Sequence, residues 1–297
     1  RLSRIAAICG GKFSGCDSEV RSVVTDSRSL SCELGCRPMF VAMRGANHDS
    51  HDFIAGMQSR GVREYLVERG VEASTCTGEC GFVQVDNAIE ALQRLAAYHR
   101  AQFRGTVVGI TGSNGKTVIK EWIAEELPEG MKYYRSPKSY NSQLGVPLSV
   151  LMLEGDEELA IFEAGISKPG EMERLERIIR PDAVIFTSIG DAHQENFINL
   201  EQKCDEKMIL ARSASKIIYH SYYEPLGRMV AAHFADRRPV DAAAYPEVPE
   251  SVIGNAASRR NAQIVEAFCD AMHYPAPSFA AAPSVAIDRK SVVEGKS

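Results

Sequence analysis

A glycine-rich loop holds the residues best suited to chemistry, between a predicted strand at 106–111 and a predicted helix at 116–127. The loop consists of Gly112, Ser113, Asn114, Gly115, Lys116 and Thr117. Glycines let backbone N–H groups approach phosphate oxygens, and the start of a helix adds positive potential there. Lys116 can bridge the β- and γ-phosphates of a nucleotide, and the Thr117 hydroxyl can bind Mg²⁺. The loop therefore predicts a site for a nucleoside triphosphate and Mg²⁺.

The spacing of this loop differs from the common phosphate-loop pattern. That pattern has a glycine five residues before Gly115, where this chain has Ile110, and the first glycine of the loop is Gly112 instead. A glycine-rich turn that binds nothing is the alternative. The order of strand, loop, Gly-Lys-Thr and helix favours phosphate binding.

Two further polar residues lie at or after the ends of predicted strands. Glu163 stands at the end of a strand at 159–164, and His193 follows a strand at 183–188. Ligands of open α/β sheets bind at the carboxyl edge of the strands, and a carboxylate there can hold Mg²⁺. A solvated strand end for Glu163 and an exposed loop histidine for His193 are the alternatives. The sheet edge favours a metal-binding role for Glu163.

The elements that must position these residues alternate along the chain. From residue 105 onward, predicted strands alternate with predicted helices, which indicates a mostly parallel sheet covered by helices. Residues 1–104 predict a smaller α/β domain that ends in an amphipathic helix at 88–103. The predicted fold class is therefore α/β, with a domain boundary near residue 104.

Composition narrows the class of protein further. The 297 residues are 44% apolar and 25% charged with a formal net charge of −5, as in ordinary soluble proteins, and this balance argues against a nucleic-acid-binding surface. No stretch approaches about 18 consecutive apolar residues and no leader is evident, so neither a membrane span nor secretion is expected. We expect a cytoplasmic protein.

Cysteines and nucleophiles give no competing site. The eight cysteines are expected to be reduced thiols. The pairs Cys32/Cys36 and Cys76/Cys80 lack the usual spacing of zinc ligands, so scattered small residues are the better interpretation. No convincing Ser–His–Asp or Cys–His arrangement is present in the sequence.

Several segments together resemble the Mur ligases, ATP-dependent enzymes that form amide bonds in peptidoglycan synthesis. Their phosphate loop reads T-G-x-N-G-K-T, as in Thr111–Thr117, which explains the unusual spacing. The other matching segments are Thr25-Asp-Ser-Arg28, Phe40-Val-Ala-Met-Arg-Gly45, Asp49-Ser-His-Asp-Phe53, Tyr140-Asn-Ser-Gln-Leu-Gly-Val-Pro-Leu148, Glu163-Ala-Gly165 and Ile189-Gly-Asp-Ala-His193-Gln-Glu195. They are most similar to the branch that uses D-alanyl-D-alanine, in forms fused to an alanine racemase domain.

The resemblance implies roles for particular residues. Glu163 and His193 would bind two Mg²⁺ ions, and Lys207 would be carbamylated so that it can bind or orient metal; Lys203 is the competing candidate, and a surface lysine is the alternative. Asn261 would contact adenine, unless it is an ordinary polar residue of a helix start. Substrate contacts are implied for Asn141, Ser142, Ser27 and Arg28.

The resemblance also implies an activity. ATP would phosphorylate the terminal carboxylate of a UDP-N-acetylmuramoyl-tripeptide, and the amine of D-alanyl-D-alanine would then displace phosphate. Residues 1–104 would bind the UDP-muramoyl peptide, and residues 105–287 would form the ATP-binding domain. A sister ligase that adds a single amino acid, or a nucleotide-binding module without catalysis, are the alternatives.

The chain departs from the family pattern in its last third. A third domain that binds the incoming amine is expected in the family, and this chain ends where that domain would begin. Residues 224–253 are short for the strands expected there, and residues 288–297 predict an unstructured, foreign tail. We therefore expect weakened ATP binding and little or no turnover by this chain alone.

Overall fold

Two β-sheets organise the protein. The computed structural model describes residues 1–28, 37–45, 48–68, 79–190 and 194–279. Strands before residue 85 form a five-stranded sheet, and strands after residue 105 form a six-stranded one. None of the described helices is both long enough and apolar enough to cross a membrane.

The first sheet has the order β1-β5-β4-β3-β2. Its strands are β1 Lys12–Gly15, β2 Ser22–Val24, β3 Pro38–Ala42, β4 Glu64–Val67 and β5 Gly81–Gln84. The central strands β3 and β4 are fully buried, as their apolar runs predict. Only β1 runs antiparallel to its neighbour, β5.

Three helices accompany this sheet: α1 Leu2–Cys9, α2 Ile54–Ser59 and α3 Ala88–Arg100. The predicted helix at 88–103 is confirmed as α3, which begins where the Asn87 side chain accepts a hydrogen bond from the N–H of Glu90. Leu92 and Leu95 of α3 pack against Leu2 and Ile5 of α1 in one apolar cluster. One face of the first sheet is therefore covered by α1 and α3.

The second sheet has the order β11-β10-β9-β6-β8-β7, and all its neighbouring strands are parallel. Its strands are β6 Thr106–Thr111, β7 Tyr133–Arg135, β8 Leu159–Ala164, β9 Ala183–Phe186, β10 Lys216–Tyr219 and β11 Val240–Asp241. The mostly parallel α/β sheet predicted from the alternating pattern is confirmed. The register places Ile110 opposite Glu163, so β6 and β8 end side by side.

Helices cover both faces of this second sheet. They are α4 Lys116–Glu125, α5 Gly145–Val150, α6 Glu171–Ile179, α7 Leu200–Met208, α8 Leu226–His233 and α9 Ala256–Met272. Apolar residues of α4 and α9 form one core cluster, and those of α5, α6, α7 and α8 form another. The carboxyl ends of the parallel strands between these two helix layers therefore lie at one edge of the second sheet, where the phosphate loop begins.

Candidate functional site

The loop after β6 needs its two glycines. Gly112 has φ +151, and a Cβ added there would lie 1.8 Å from Thr187 Oγ1. Gly115 has φ +88 and immediately precedes α4, and a Cβ there would lie 3.2 Å from Asn261 Oδ1. Both positions combine a positive φ with a close neighbour, so a residue other than glycine would be strained at either of them.

A second loop, which follows β9, holds the first one in shape. The N–H of Ser113 donates to the carbonyl of Ser188 at 2.7 Å, and the Thr187 hydroxyl donates to the carbonyl of Asn114 at 2.6 Å. The N–H of Gly190 donates to Ser113 Oγ at 3.0 Å. These contacts fix the backbone of the glycine-rich loop before any ligand binds.

Lys116 folds back over this loop. Its Nζ donates to the carbonyls of Gly112 at 2.8 Å and Ser113 at 3.3 Å. Burial lowers the pKa of Lys116, and the nearby Glu163 carboxylate partly opposes that change. The ammonium is therefore held at the loop by neutral carbonyl oxygens, which an anionic phosphate can replace as a stronger partner.

Glu163 lies fully buried beside Thr117. Its Oε2 accepts a hydrogen bond from Thr117 Oγ1 at 3.2 Å and another from Asn141 Nδ2 at 3.4 Å. The solvated strand end considered for Glu163 is therefore wrong. The β6–β8 register explains the placement, because Glu163 pairs with the residue two positions before Gly112.

The donor set suits Mg²⁺. The Glu163 carboxylate and the Thr117 hydroxyl are hard oxygen donors, and Glu163 Oε2 lies 3.2 Å from Thr117 Oγ1. Within the described part of the chain, no three His, Cys, Asp or Glu side chains cluster as a metal site. Such a pair of protein donors fits Mg²⁺, which usually keeps waters and binds substrate phosphates as well.

Two buried lysines of α7 lie behind the loop. Lys207 Nζ donates to the Gly112 carbonyl at 3.2 Å, and Lys203 Nζ donates to the Gly190 carbonyl at 2.6 Å. Lys207 is only 2% exposed, so the surface lysine considered as its alternative is wrong. Burial, followed by the neighbouring charges of Lys116 and Lys203, lowers the pKa of Lys207 to about 7.

A cleft of about 370 Å³ opens in front of these groups. Asn141 and Ser142 line it together with Lys116 and Lys207. Asn141 is fixed at its backbone, where its carbonyl accepts from the N–H of Gly165, and Ser142 Oγ accepts from the N–H of Gly145 at the start of α5. The segment predicted to contact substrate therefore faces the phosphate loop.

Asn261 lies on α9, next to the loop rather than at the helix start. Its side-chain amide is the closest neighbour of a Cβ built at Gly115. The preceding residue, Arg260, stacks its guanidinium over the Tyr222 ring, 4.0 Å from the ring centre. α9 therefore presents Asn261 to the loop, as the predicted contact with a nucleotide requires.

The remaining predicted residues lie elsewhere. Arg28 is exposed and pairs with Asp26 at 2.9 Å, and the Ser27 carbonyl accepts a hydrogen bond from Arg60. Neither Ser27 nor Arg28 is among the residues that line the cleft. His193, Cys32, Cys36 and Cys76 lie outside the described residues.

Sequence reasoning missed two residues that shape the site. Thr187 braces the loop through Asn114, and Lys120 contacts Glu163 from inside the protein. Lys120 stands four residues after Lys116, on the same side of α4. That spacing was the available signal, since it directs both lysines towards the ends of the neighbouring strands.

Comparison with known proteins defines the class. Residues 110–236 match the Mur ligase middle domain. The resemblance inferred from the loop and the segments around it is thereby confirmed.

Its relatives include UDP-N-acetylmuramoyl-tripeptide–D-alanyl-D-alanine ligases. That of Bacillus subtilis is 31% identical over 189 residues, which are 64% of this chain and 40% of the relative. Those of Borreliella burgdorferi and Escherichia coli are 33% and 32% identical, with 66% and 67% of this chain covered and 44% and 42% of theirs. The chain thus spans less than half the length of the curated relatives it matches.

Solved structures share the fold. A MurF from Acinetobacter baumannii matches with a TM-score of 0.77 and 23% identity, over 91% of this chain and 64% of that one. MurF ligase from Thermotoga maritima, solved in complex with ADP, matches with a TM-score of 0.73 and 22% identity, over 86% and 64%. These matches confirm the predicted fold class.

Proposed function

We propose that the protein to which this chain belongs is an ATP-dependent amide-bond ligase of peptidoglycan precursor synthesis. It would join D-alanyl-D-alanine to UDP-N-acetylmuramoyl-tripeptide. The observation that carries the proposal is the contact between Thr117 and buried Glu163, behind a cleft that Lys116 and Asn141 line. The names of the relatives support the choice of substrates.

The residues of the site fit acyl phosphate chemistry. The tripeptide carboxylate attacks the γ-phosphorus of ATP, ADP leaves, and the amine of D-alanyl-D-alanine then displaces inorganic phosphate from the acyl carbon and loses a proton. Lys116 and the loop N–H groups would hold the phosphates in line and offset their charge. No side-chain nucleophile is needed.

Other residues would bind the remaining groups. Thr117 and Glu163 would hold Mg²⁺, which supplies charge neutralisation on the phosphates when bound. Asn261 would contact the nucleotide, and Asn141 and Ser142 would face the tripeptide. His193 is proposed for a second Mg²⁺ from the resemblance alone. Lys207, with its lowered pKa, would offer the neutral amine that CO₂ needs to form a carbamate.

The proposal also assigns the two parts of the chain. Residues 1–104, with Ser27 and Arg28, would bind the UDP-sugar, and residues 105–287 would bind ATP. The proposed place of action is the cytoplasm, where ATP is available. A fused alanine racemase domain in the parent protein stays a prediction.

Calorimetry with MgATP tests the nucleotide site. Lys116→Ala should weaken binding by about tenfold or more, because a charged hydrogen-bond donor is lost. Lys168→Ala, at an exposed position near the same cleft, should leave MgATP binding unchanged. Equal binding by Lys116→Ala and the unmodified chain would contradict the assignment of the loop.

Phosphate release tests the reaction. With UDP-N-acetylmuramoyl-tripeptide and ATP present, the parent protein should release phosphate only when D-alanyl-D-alanine is added. Release that depends equally on a single amino acid would instead support a sister ligase. Binding of MgATP without any substrate-dependent release would support a nucleotide-binding module.

A further inference from the structure

Lys120 carries a fully buried ammonium group that the proposed reaction does not use. It stands on α4, one turn after Lys116, with its side chain 0% exposed. Its Nζ lies 2.8 Å from Glu163 Oε1 and 3.4 Å from Glu121 Oε1, and it donates to the carbonyls of Ser136 at 2.7 Å and Lys138 at 2.6 Å. A lysine is rarely this buried unless its charge is paired, as here.

The contact with Lys120 gives the two oxygens of Glu163 different surroundings. Oε1 faces the Lys120 ammonium inside the protein, whereas Oε2 faces Thr117 and Asn141. A carboxylate held through one oxygen cannot rotate freely, so Oε2 stays directed at the Thr117 hydroxyl. The ion pair thus orients the oxygen that lies on the side of the phosphate loop.

The same ammonium also holds the segment that leads to Asn141. Ser136 directly follows β7, and Lys138 adopts a left-handed conformation with φ +48. Both carbonyls point at Lys120, so the turn between β7 and Asn141 is built around this one charge. Asn141 then reaches back to Glu163 Oε2, which closes a ring of contacts.

We propose that Lys120 is a positioning residue that sets Glu163 for Mg²⁺ and joins this metal site to the 136–142 segment. The inference rests on the proposed function, since it assumes that Glu163 and Thr117 bind the metal of a nucleotide complex. Its specific consequence is that Lys120 supports the Mg²⁺-dependent part of nucleotide binding. Its ammonium group contacts Glu163, Glu121 and the carbonyls of Ser136 and Lys138 and not a group of the glycine-rich loop, so it should not affect binding of the metal-free nucleotide.

Titration of ADP with and without Mg²⁺ tests this consequence. Trp122, the single tryptophan, is buried on α4 two residues after Lys120, so its fluorescence can report binding alongside calorimetry. For Lys120→Met, the gain in ADP affinity produced by Mg²⁺ should fall about tenfold, the size of a typical coupling between two ligands. ADP affinity without Mg²⁺ should stay within about twofold of the unmodified chain.

Two further variants keep the test decisive. Glu163→Gln retains the volume of the side chain and should lose the same Mg²⁺-dependent gain in ADP affinity. This variant can be measured even if Lys120→Met fails to fold. The double variant should lose no more than either single one, because both changes break the same contact. Lys132→Met, which removes an exposed pair with Asp156, is the matched control and should change nothing.

The outcomes separate the inference from the proposed function. A normal Mg²⁺-dependent gain in folded Lys120→Met would overturn the role of Lys120 alone. An equal loss of affinity with and without Mg²⁺ would also overturn it, because that is what a purely structural lysine would cause. Absence of ADP binding by the unmodified chain and by the parent protein would overturn the proposed function itself.

Discussion

Single residues around the phosphate loop concentrate positive charge inside the protein. Lys116 and Lys207 both donate to the Gly112 carbonyl, and Lys203 donates to the Gly190 carbonyl close by. Buried like charges disfavour one another, and this is one reason why the pKa of Lys207 falls to about 7. The arrangement suits a polyanion, whose charge would relieve the repulsion.

Lys207 should make stability depend on pH. Its pKa falls from 10.5 to about 7 in the folded state, so below pH 7 its charge is buried at a cost that the unfolded chain does not have. The cost fades as pH rises from 7 to 10.5. Lys207→Met should therefore increase the free energy of unfolding at pH 6, by up to about 4–5 kcal/mol, and hardly at pH 10.5. Urea unfolding in CO₂-free buffer measures the difference.

An exposed lysine provides the comparison for Lys207. Lys168→Met should leave the free energy of unfolding nearly unchanged at both pH values, because that side chain is solvated in both states. A stabilisation by Lys207→Met that is the same at pH 6 and pH 10.5 would show that packing, rather than charge, is its cause.

Gly112 should not tolerate a methyl group. In Gly112→Ala the new Cβ would meet Thr187 Oγ1 at 1.8 Å and the Ser188 carbonyl at 3.0 Å. The second loop must then shift, which should lower the free energy of unfolding by about 1–3 kcal/mol and weaken ADP binding about tenfold or more. Chemical denaturation and calorimetry measure the two effects.

Gly130→Ala is the matched control for Gly112→Ala. Gly130 also has positive φ, +82, but nothing lies within 4 Å of a Cβ built there. Gly130→Ala should lower the free energy of unfolding by about 1 kcal/mol through backbone strain, and the ADP affinity should stay unchanged. Equal ADP binding by both variants would argue against a nucleotide role of the 112–117 loop.

The elements that carry the site were the most predictable part of the fold. Strands β6, β8 and β9 are buried on both faces, so their sequences are continuous apolar runs, and the strand–loop–helix order marks α4. The eight-residue helices α1 and α8 and the mostly exposed strand β1 went unpredicted. Short elements show too few turns or alternations for their periodicity to stand out.

The site itself was predictable only where sequence neighbours carry it. The glycine-rich loop directly follows β6 and Glu163 lies near the end of β8, so their meeting at the sheet edge follows from topology. Lys120 and Thr187 act through side-chain contacts between distant segments. Such contacts depend on helix rotation and loop shape, which a pattern of residue types does not determine.

Arg100 at the end of α3 closes the carboxyl end of α6. Its guanidinium donates to the carbonyls of Ile179 at 2.8 Å and Arg180 at 2.9 Å, groups that a helix end leaves without internal partners. Arg100→Ala should lower the free energy of unfolding by about 1.5–3 kcal/mol, since charged hydrogen bonds are lost. Urea unfolding tests this.

The neighbouring Arg177 calibrates the effect of Arg100. It pairs with Glu173 at 3.0 Å on the exposed face of α6. Arg177→Ala should lower the free energy of unfolding by no more than about 0.5 kcal/mol, because solvent weakens such ion pairs. If the two variants were equally stable, the link between α3 and α6 would contribute nothing beyond an ordinary surface contact.

At the scale of the whole molecule, α5 connects the two sheets. Its buried Val146 and Val150 belong to the core of the second sheet, while Leu144 and Leu148 pack against the cluster that covers the first. α3 adds polar links, since Gln93 donates to the Gln143 carbonyl at 3.1 Å. The residues predicted to bind substrate, Asn141 and Ser142, immediately precede this junction. Their placement therefore depends on both sheets.

The junction should make the two sheets unfold together. Trp122 reports on the second sheet alone, whereas far-ultraviolet circular dichroism reports on both, so the two urea curves should coincide in the unmodified protein. Leu148→Lys places a charge against the first sheet's cluster and should destabilise the protein by about 1–3 kcal/mol. The dichroism curve should then begin at lower urea than the fluorescence curve.

A nearby exposed residue shows whether the position or the added charge matters. Met152, directly after Leu151, is 49% exposed, so Met152→Lys should leave both urea curves coincident and the midpoint nearly unchanged. If the unmodified protein already shows separate curves, the apolar contacts of Leu144 and Leu148 are too weak to couple the sheets. If Leu148→Lys shifts both curves equally, the coupling runs through α3 and α6, because their hydrogen bonds at Arg100 would then hold the sheets together without α5.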